Sequence, residues 1–309
     1  MTARFELWAI FGIAITVMMY LDLFVLNKKA HAVKIREALI WSATWIGAAL
    51  LFCVGVYLML GKVKALEFLT GYIIEKSLSV DNLFVFIMIF EYFKIPVLHQ
   101  PRVLKWGILG AIIMRALFIT AGVGLFKTFD WIIYVFGAML IFTSVKLAAR
   151  KEEKFDPGRN PVLRLFRKFF RVNLEYHGEK FFVSNGGLWS ATSLFIALLL
   201  IESSDVIFAM DSIPAVLAIT TDPFIVYTSN IFAILGLRAL FFVISGMMGL
   251  FRYLKLGISF ILGFVGVKML TSHFYEIPIT VSLGVIFGIL ALFIIASILH
   301  KEKGGRSNA

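Results

Sequence analysis

The chain of 309 residues is 60% hydrophobic and only 16% charged, with a mean hydropathy of +0.92. A soluble domain has about 45–50% apolar and about 25% charged residues, so the composition excludes an ordinary soluble protein. The net charge of +11 alone would be compatible with nucleic-acid binding, but the basic residues are distributed as in a membrane protein. Cys53 is the single cysteine, which excludes an internal disulfide and a thiolate cage for a soft metal.

Nine apolar stretches follow one another along the chain. Each is close to the length of about 20 residues that crosses the hydrocarbon core as a helix. The first is too long for a cleaved signal peptide and carries Asp22 near its end. The sequence therefore predicts an all-α membrane protein with nine transmembrane helices, near residues 6–26, 38–60, 66–93, 104–125, 131–149, 188–213, 223–249, 256–271 and 278–299.

The basic residues predict how the chain is oriented. With nine crossings, one side of the membrane receives 22 Lys and Arg residues and the other receives four. Basic loops stay in the cytoplasm. We therefore expect the N-terminus outside and the C-terminus inside, with the cytoplasmic loops at 27–37, 94–105, 146–187, 250–255 and 300–309.

The longest predicted loop, 150–187, is strongly basic. Its segment NPVLRLFRKFFRV (160–172) alternates apolar and basic side chains, with Leu163, Phe166, Phe169 and Phe170 set against Arg164, Arg167, Lys168 and Arg171. This pattern fits a helix on the inner leaflet, with phenylalanines in the interface and basic groups at lipid phosphates. A loop that only fixes the topology is the alternative.

Two parts of the chain repeat each other. Four short matches recur in the same order at offsets of 122 to 125 residues, among them Ser79-Val-Asp81 with Ser203-Ser-Asp205 and Arg115-Ala-Leu-Phe118 with Arg238-Ala-Leu-Phe241. Each unit holds three predicted spans, so the second enters the membrane from the opposite side. This predicts an inverted repeat, a transporter architecture whose binding site lies near the bilayer midplane. The predicted regions are two N-terminal helices (1–65), repeat 1 (66–149), the basic loop (150–187), repeat 2 (188–271), and the last helix with a cytoplasmic tail (272–309).

Five of the acidic residues in the predicted spans lie away from the span ends or within the motif that follows Glu202: Glu75, Asp81, Glu202, Asp205 and Asp211. A carboxylate at the centre of a membrane helix costs about 2.5–3.5 kcal/mol on insertion scales, so each must be protonated, paired or bound to a cation. Glu202 and Asp205 share one helix face, and Asp81 and Asp205 occupy matching repeat positions. Pro214 cannot bond to the carbonyl of Met210, which leaves that oxygen free and favours a kink or unwound turn.

These oxygen atoms suit a hard or borderline divalent cation such as Mn²⁺, Mg²⁺ or Ca²⁺. The predicted ligands are Glu75, Asp81, Asn82, Glu202, Asp205, Asp211 and the Met210 carbonyl. The alternative is structural, because Lys76, Arg115, Arg238 and Lys268 also lie in spans and could neutralise most of the acids. The sequence shows no nucleophile, cofactor or ATPase motif, so we expect neither an enzyme nor a bound cofactor.

Three long segments resemble the TerC family of integral membrane proteins: EKSLSVDNLFVF (75–86), ESSDVIFAMDSIPAVLAITTDP (202–223) and SNIFAILGLRALF (229–241). One departure is Ser203, where the family pattern leads us to expect an apolar residue. The resemblance implies a bacterial inner-membrane protein of the LysE-type exporter superfamily, associated with manganese export. It also implies that Glu75, Asp81, Glu202, Asp205 and Asp211 form the metal site. An acidic cluster would repel tellurite, despite the family name.

The leading functional hypothesis is therefore a Mn²⁺ exporter, with the cation as substrate and proton exchange as a coupling step, because metal binding releases protons. Its expected partners are the divalent cation and the lipid bilayer, with no nucleic acid. The alternative is a membrane pH or metal sensor, or a scaffold, that transports nothing and recruits partners through the loop 150–187.

Overall fold

The computed structural model describes residues 2–21, 35–129, 131–149, 160–172, 178, 180–185, 188–246, 253–275 and 277–304. Helices account for nearly all of the regular structure: α1 Thr2–Tyr20, α2 Ile35–Leu60, α3 Lys62–Tyr92, α4 Gln100–Thr128, α5 Ile132–Ala149, α6 Pro161–Phe169, α7 Ser193–Leu217, α8 Pro223–Leu235, α9 Leu237–Ser245, α10 Leu254–Thr271 and α11 Ile279–Gly304. Three short strands complete it: β1 Arg171–Val172, β2 Phe182–Asn185 and β3 Leu188–Ala191. The chain is a helical, multi-pass membrane protein.

Six helices in the described residues are long and apolar enough to cross a membrane: α2, α4, α5, α7, α10 and α11. Helices α8 and α9 are bent by 43° at Gly236 and together make a seventh candidate. Helices α1 and α3 also lie on predicted spans, but the apolar part of α1, Phe5–Tyr20, is shorter than a full span, and α3 carries seven charged side chains. The count of nine crossings therefore stays a prediction, and residues 22–26 and 247–249 of the predicted spans lie outside the described part.

The prediction for the sixth span was wrong at its start, and a small sheet interrupts the all-α picture. Residues Leu188–Ala191 form β3, which pairs parallel with β1 and antiparallel with β2. Helix α7 begins only after Thr192, whose hydroxyl donates to the carbonyl of Lys180 at 2.7 Å. A short apolar run does not distinguish a strand from the first turn of a buried helix, which is why hydropathy placed the helix too early.

Helix α6 forms within the segment predicted to be amphipathic, but part of its apolar face packs against protein rather than lipid. Leu163 is buried, and the Phe166 ring lies 5.4 Å from the ring of Phe195 on α7. The Asn160 amide at the start of α6 donates to the Ser203 hydroxyl at 3.0 Å. Since α6 meets residue 203 at its start and residue 195 near its end, it runs antiparallel to the first half of α7. Of the four apolar residues predicted to face the interface, Phe169 and Phe170 keep large exposed surfaces, and Leu165 is exposed as well.

The helices of the two predicted repeats contact each other reciprocally. Helix α3 packs against α7 and α8, and α4 packs against the same two helices. The third helices of the units, α5 and α10, pack against each other. The N-terminal helices α1 and α2 cover the outside of α8 through an aromatic cluster, in which the Phe52 and Phe232 rings are 4.8 Å apart. Another of the four sequence matches pairs Leu125-Phe-Lys127 with Leu250-Phe-Arg252. Its second member cannot be compared with the first, because residues 250–252 lie outside the described part.

Glycines allow α5 and α10 to approach each other backbone to backbone. A Cβ atom on Gly266 would lie 2.9 Å from the carbonyl oxygen of Gly137 and 3.1 Å from the amide nitrogen of Ile141. Backbone atoms cannot turn aside as a flexible side chain can. In membranes, small residues at helix interfaces serve this close approach.

We expect Gly266→Ala to lower the free energy of unfolding by about 1–3 kcal/mol, the usual cost of overpacking. Gly288→Ala is the matched control, because a Cβ atom at Gly288 on α11 meets no atom within 4 Å among the described residues. Thermal unfolding in detergent micelles measures both variants. An equal melting temperature for the two would contradict the close α5–α10 contact.

Candidate functional site: a buried ion cluster between the two repeats

Arg115 of α4 lies between two carboxylates that come from different predicted repeats. Its guanidinium donates to both oxygens of Asp205 on α7, from Nη2 at 3.0 Å and from Nε at 3.3 Å. Its Nη1 forms an ion pair with Glu75 of α3 and donates to the Ser212 hydroxyl of α7 at 3.1 Å. The Arg115 and Glu75 side chains are 0% exposed, and that of Asp205 is 6% exposed.

The periodicity of the α-helix explains how the partners of Arg115 come to face it. Asp205 and Ser212 are seven residues apart on α7, which is two turns of an α-helix. Glu75, Arg115 and Asp205 lie near the middle of α3, α4 and α7 respectively. Helix α7 packs against both α3 and α4, so the ionic groups meet away from the helix ends.

Asn230 of α8 completes the cluster. Its Nδ2 donates to Glu75 Oε2 at 2.9 Å, and the residue is fully buried. Its Oδ1 accepts no hydrogen bond from the described residues, and neither does the buried Ser79 hydroxyl one turn from Glu75 on α3. A buried amide oxygen without a donor is uncommon in a folded protein and points to a partner outside the protein chain.

The ionised cluster, with both carboxylates deprotonated, carries a net charge of −1, because one guanidinium faces two carboxylates. Ser212 and Asn230 add neutral hydrogen-bonding groups. In a low-dielectric interior such a network is stabilising only as long as all of its members are present. The arrangement can therefore hold a positive charge between Glu75 and Asp205, and in this structure Arg115 supplies it.

Two other predicted ligands have separate contacts. Glu202 packs its carboxylate over Gly110 of α4, and Asp211 accepts a hydrogen bond from the Thr143 hydroxyl of α5 at 2.9 Å. Met210, whose backbone carbonyl was the predicted ligand, is 56% exposed. Asn82 is buried and Asp81 is half-buried, with an interaction of its own. In the described ranges no three Asp, Glu, His or Cys side chains come together as a metal-binding group.

The unwound turn predicted at Pro214 is absent. Helix α7 continues through Pro214 to Leu217, and the break in this region falls instead at Gly236, between α8 and α9. Pro214 sits less than one turn from the end of α7, where the loss of one hydrogen bond disturbs little of the helix. Asp205 and Asp211 consequently keep separate partners.

Lys76 lies at the α8–α9 break rather than beside a carboxylate. Its Nζ is partly buried and donates to the carbonyl of Ala233 at 3.1 Å, near the C-terminal end of α8. A Cβ atom on Gly236 would lie 2.7 Å from this nitrogen, so the glycine leaves room for the lysine. A cation at the C-terminal end of a helix is favoured by the helix dipole. Lys268 likewise donates to the Ser282 hydroxyl at 3.0 Å, so these two lysines contact neutral oxygens, whereas Arg115 bridges two of the predicted ligands.

A small cavity adjoins the cluster. It has a volume of about 20 Å³ and is lined by Asp205, Arg238 and apolar side chains of α3, α4, α7, α8 and α9. A cavity of this size admits one water molecule or one small ion. Arg238, which matches Arg115 between the predicted repeats, therefore lines the same small space as Asp205.

Polar contacts close the structure on both sides of the cluster. Near the start of α3, Glu67 accepts from Lys64 Nζ at 2.7 Å and from the Thr220 hydroxyl at 2.6 Å. Toward the basic loop, the Asn160 amide bridges α6 and Ser203 of α7. Ser203 is the residue that departs from the family pattern, and its hydroxyl serves this contact.

Asn160 also caps α6, since its Oδ1 accepts from the amides of Val162 and Leu163. We expect Asn160→Ala to raise the amide exchange rate across α6 about fivefold, because a lost N-cap costs about 1 kcal/mol. Ser203→Ala removes only the bond to α7 and should raise the rate less. Hydrogen–deuterium exchange on the peptide spanning residues 160–169 measures both. Equal exchange in the wild type and Asn160→Ala would contradict the capping role.

Sequence reasoning did not select Ser212 and Asn230 as site residues. The signal that could have found Asn230 is the pair Ser229-Asn230 within an apolar stretch, since polar residues inside membrane spans are rare and usually functional. Ser212 lies in the same predicted span as the acids, but a serine is common enough in membrane helices to carry little information by itself.

The fold and the cluster define a class: a polytopic helical membrane protein with an ionic cluster buried among its central helices. The family model for the integral membrane protein TerC family matches residues 60–304, and the chain belongs to that family. The resemblance seen in the three sequence segments is thereby confirmed.

Named relatives cover almost the whole chain. An uncharacterised membrane protein of Myxococcus xanthus, STKORF319, is 50% identical over 98% of this chain and 95% of its own length. Alx of Escherichia coli K12, described as a putative membrane-bound redox modulator, is 47% identical over 97% of this chain and 98% of its own length. An uncharacterised membrane protein of Rickettsia bellii is 41% identical over 96% of this chain and 98% of its own length. No solved structure matches the chain.

Proposed function

We propose that this TerC-family protein exports divalent metal cations, with Mn²⁺ as the first candidate. The observation that carries the proposal is the meeting of Glu75 and Asp205, buried, near the middle of helices from the two predicted repeats. A pair of carboxylates buried at such a position is expensive in a membrane protein and typical of an ion pathway. Export follows the family resemblance, and the direction of transport has no separate support from the geometry.

The chemistry of the site favours a small hard cation. Glu75 and Asp205 offer carboxylate oxygens, Ser212 offers a hydroxyl, and Asn230 offers an amide oxygen that accepts no other hydrogen bond in the described residues. Ions such as Mn²⁺ and Mg²⁺ are commonly held by one or two carboxylates together with neutral oxygens and water. The same oxygens disfavour an oxyanion such as tellurite.

The architecture supports alternating access. The two units contact each other reciprocally, as expected for inverted repeats, and the α8–α9 break adjoins the cluster through Asn230 and Lys76. Broken helices beside a central site are a recurrent feature of secondary transporters. In this proposal one repeat rocks against the other, and the contacts of Asn160 and of Glu67 open in turn.

The remaining parts of the hypothesis concern orientation and energy. The distribution of Lys and Arg favours a periplasmic N-terminus and a cytoplasmic C-terminus in the inner membrane. Protons released when a metal binds to carboxylates provide a route for exchange with a proton gradient. The sequence carries no ATPase motif that would drive transport otherwise.

Purified protein in proteoliposomes loaded with a Mn²⁺-sensitive dye tests the proposal. We expect Mn²⁺ flux above that of protein-free vesicles, inhibited by competing divalent ions, insensitive to tellurite, and altered by a pH gradient. Protein-free liposomes carrying an ionophore serve as the positive control for the dye. Flux equal to that of protein-free vesicles at every pH would reject the transporter.

A second candidate is a sensor or scaffold that transports nothing. One observation favours it: every predicted ligand of the central cluster is already compensated by Arg115. The name of the Alx relatives adds redox modulation. With Cys53 as its single cysteine the chain has no dithiol of its own, so such a role would act through another group. A protein partner captured by the 150–187 loop, together with absent metal flux, would support this candidate.

A further inference from the structure

Arg115 occupies the place that a transported cation would need. Its guanidinium bonds to Glu75, to both oxygens of Asp205 and to the Ser212 hydroxyl. These are three of the four side chains that could ligate a divalent ion in this cluster. The fourth, Asn230, has its Oδ1 without a hydrogen-bond donor among the described side chains and backbone groups.

A divalent cation and the guanidinium cannot both be bound by these oxygens. A small ion such as Mg²⁺ requires oxygen ligands at about 2.0–2.1 Å, and Mn²⁺ uses the same hard oxygen donors. Both carboxylates would have to turn from Arg115 toward the ion. Two carboxylates also cannot balance a divalent ion and a guanidinium together, because the sum would leave one uncompensated positive charge in the protein interior.

The metal-free site has the opposite difficulty, an excess of negative charge. If Arg115 were absent and no metal were bound, Glu75 and Asp205 would face each other as two buried like charges. A transporter must pass through the metal-free state in every cycle, and two unpaired carboxylates would make that state unstable. A cation attached to the protein removes this difficulty, provided that it can leave when the metal arrives.

We propose that Arg115 is a tethered counter-cation that compensates one of the two negative charges of the Glu75–Asp205 pair in the metal-free state and is displaced by the incoming divalent ion. The inference deepens the proposed function and rests on it. Arg115 then sets the affinity by competition: it weakens metal binding enough for the ion to leave on the other side. The unused Asn230 Oδ1 becomes a ligand only after the displacement.

Arg115→Gln separates competition from a structural role. We expect its equilibrium dissociation constant for Mn²⁺ to fall at least tenfold relative to wild type, equivalent to about 1.4 kcal/mol, because the competitor is gone. Saturating Mn²⁺ should raise the melting temperature of Arg115→Gln by several degrees more than that of wild type, since a ligand that binds only the folded state stabilises it. Turnover in proteoliposomes should fall, because the ion is released more slowly.

Lys76→Gln is the matched control. It removes a partly buried cation from α3, at the position next to Glu75 in the sequence. The observed hydrogen bond of Lys76 goes to a backbone carbonyl rather than to a carboxylate. We expect its Mn²⁺ affinity to stay close to that of wild type. Tightening of equal size in Lys76→Gln would mean that any lost positive charge strengthens binding, which would overturn the competition.

Arg115→Lys covers the case in which Arg115→Gln does not fold. An ammonium group keeps the charge but cannot bridge both carboxylates as a planar guanidinium does, so Mn²⁺ should bind more tightly than to wild type and less tightly than to a neutral variant. The inference would be overturned if Arg115→Lys or Arg115→Gln bound Mn²⁺ more weakly than the wild-type protein does, while the wild-type protein still transported Mn²⁺. That outcome would leave the proposed function standing. Absence of Mn²⁺ binding and flux from wild type and all variants would reject both.

Discussion

Replacement of Arg115 by methionine is expected to lower the free energy of unfolding by about 3–5 kcal/mol in metal-free buffer, the usual effect of removing one partner from a buried ion pair. The variant leaves Glu75 and Asp205 buried without the guanidinium that bridges them. Ser212 and Asn230 can each satisfy one carboxylate oxygen but carry no charge. Unfolding with increasing denaturant in mixed micelles measures the loss.

Two further variants show whether charge or packing causes this loss. Lys127→Met removes an exposed cation from the end of the same helix and should change stability little. The triple variant Arg115→Met, Glu75→Gln, Asp205→Asn removes all three charges, and it should recover most of the loss, because neutral replacement of a buried ionic group is often close to neutral in stability. A triple variant as unstable as Arg115→Met would instead assign the effect to the packing of the arginine side chain.

Asp205→Asn is expected to reduce Mn²⁺ flux in proteoliposomes by about 100-fold or more. Loss of one member of a buried charged site costs about 3–5 kcal/mol, and each 1.4 kcal/mol changes an equilibrium constant tenfold. Glu75→Gln should act in the same direction, since both carboxylates share the guanidinium in the metal-free state and would share the ion in the loaded state. Initial rates at several Mn²⁺ concentrations separate weaker binding from slower turnover.

The five predicted acids should not behave alike. Asp211, hydrogen-bonded to Thr143 of α5, and Glu202, packed over Gly110, lie outside the central cluster, so Asp211→Asn and Glu202→Gln are expected to affect flux less than Asp205→Asn does. They serve as matched controls of the same chemical type on the same helix. Asp81→Asn probes the matching repeat position. Undiminished flux in both Asp205→Asn and Asp81→Asn would remove the basis for the proposed cation site.

Much of the architecture could be predicted from hydropathy, because burial in a bilayer imposes a local requirement on each helix. Apolar stretches of the right length located helices α2, α4, α5, α7, α10 and α11. The failures have equally local causes. The apolar residues at 188–191 form a strand, because composition alone does not separate a strand from a helix start. Leu163 and Phe166 pack on protein, because amphipathicity does not say what covers the apolar face.

The acids themselves could be found in the sequence, and so could the need to compensate them, because a charge within an apolar span is costly wherever the helix packs. The sequence could not show which acids meet or which group compensates their charge. Arg115 lies 40 residues from Glu75 and 90 residues from Asp205, and Asn230 lies 155 residues from Glu75. Helical spacing relates residues only a few turns apart on one helix, and it carries no information about contacts between helices.

By itself, then, the sequence determined that this is a multi-pass helical membrane protein of the TerC family with several carboxylates buried in its spans. The tertiary structure alone decided that Glu75 and Asp205 are brought together, that Glu202 and Asp211 are not, and that Arg115 lies between the first two. The physical reason is that the hydrophobic requirement acts on each helix separately. The pairing of buried charges depends on how the helices pack and on the rotation of each about its own axis.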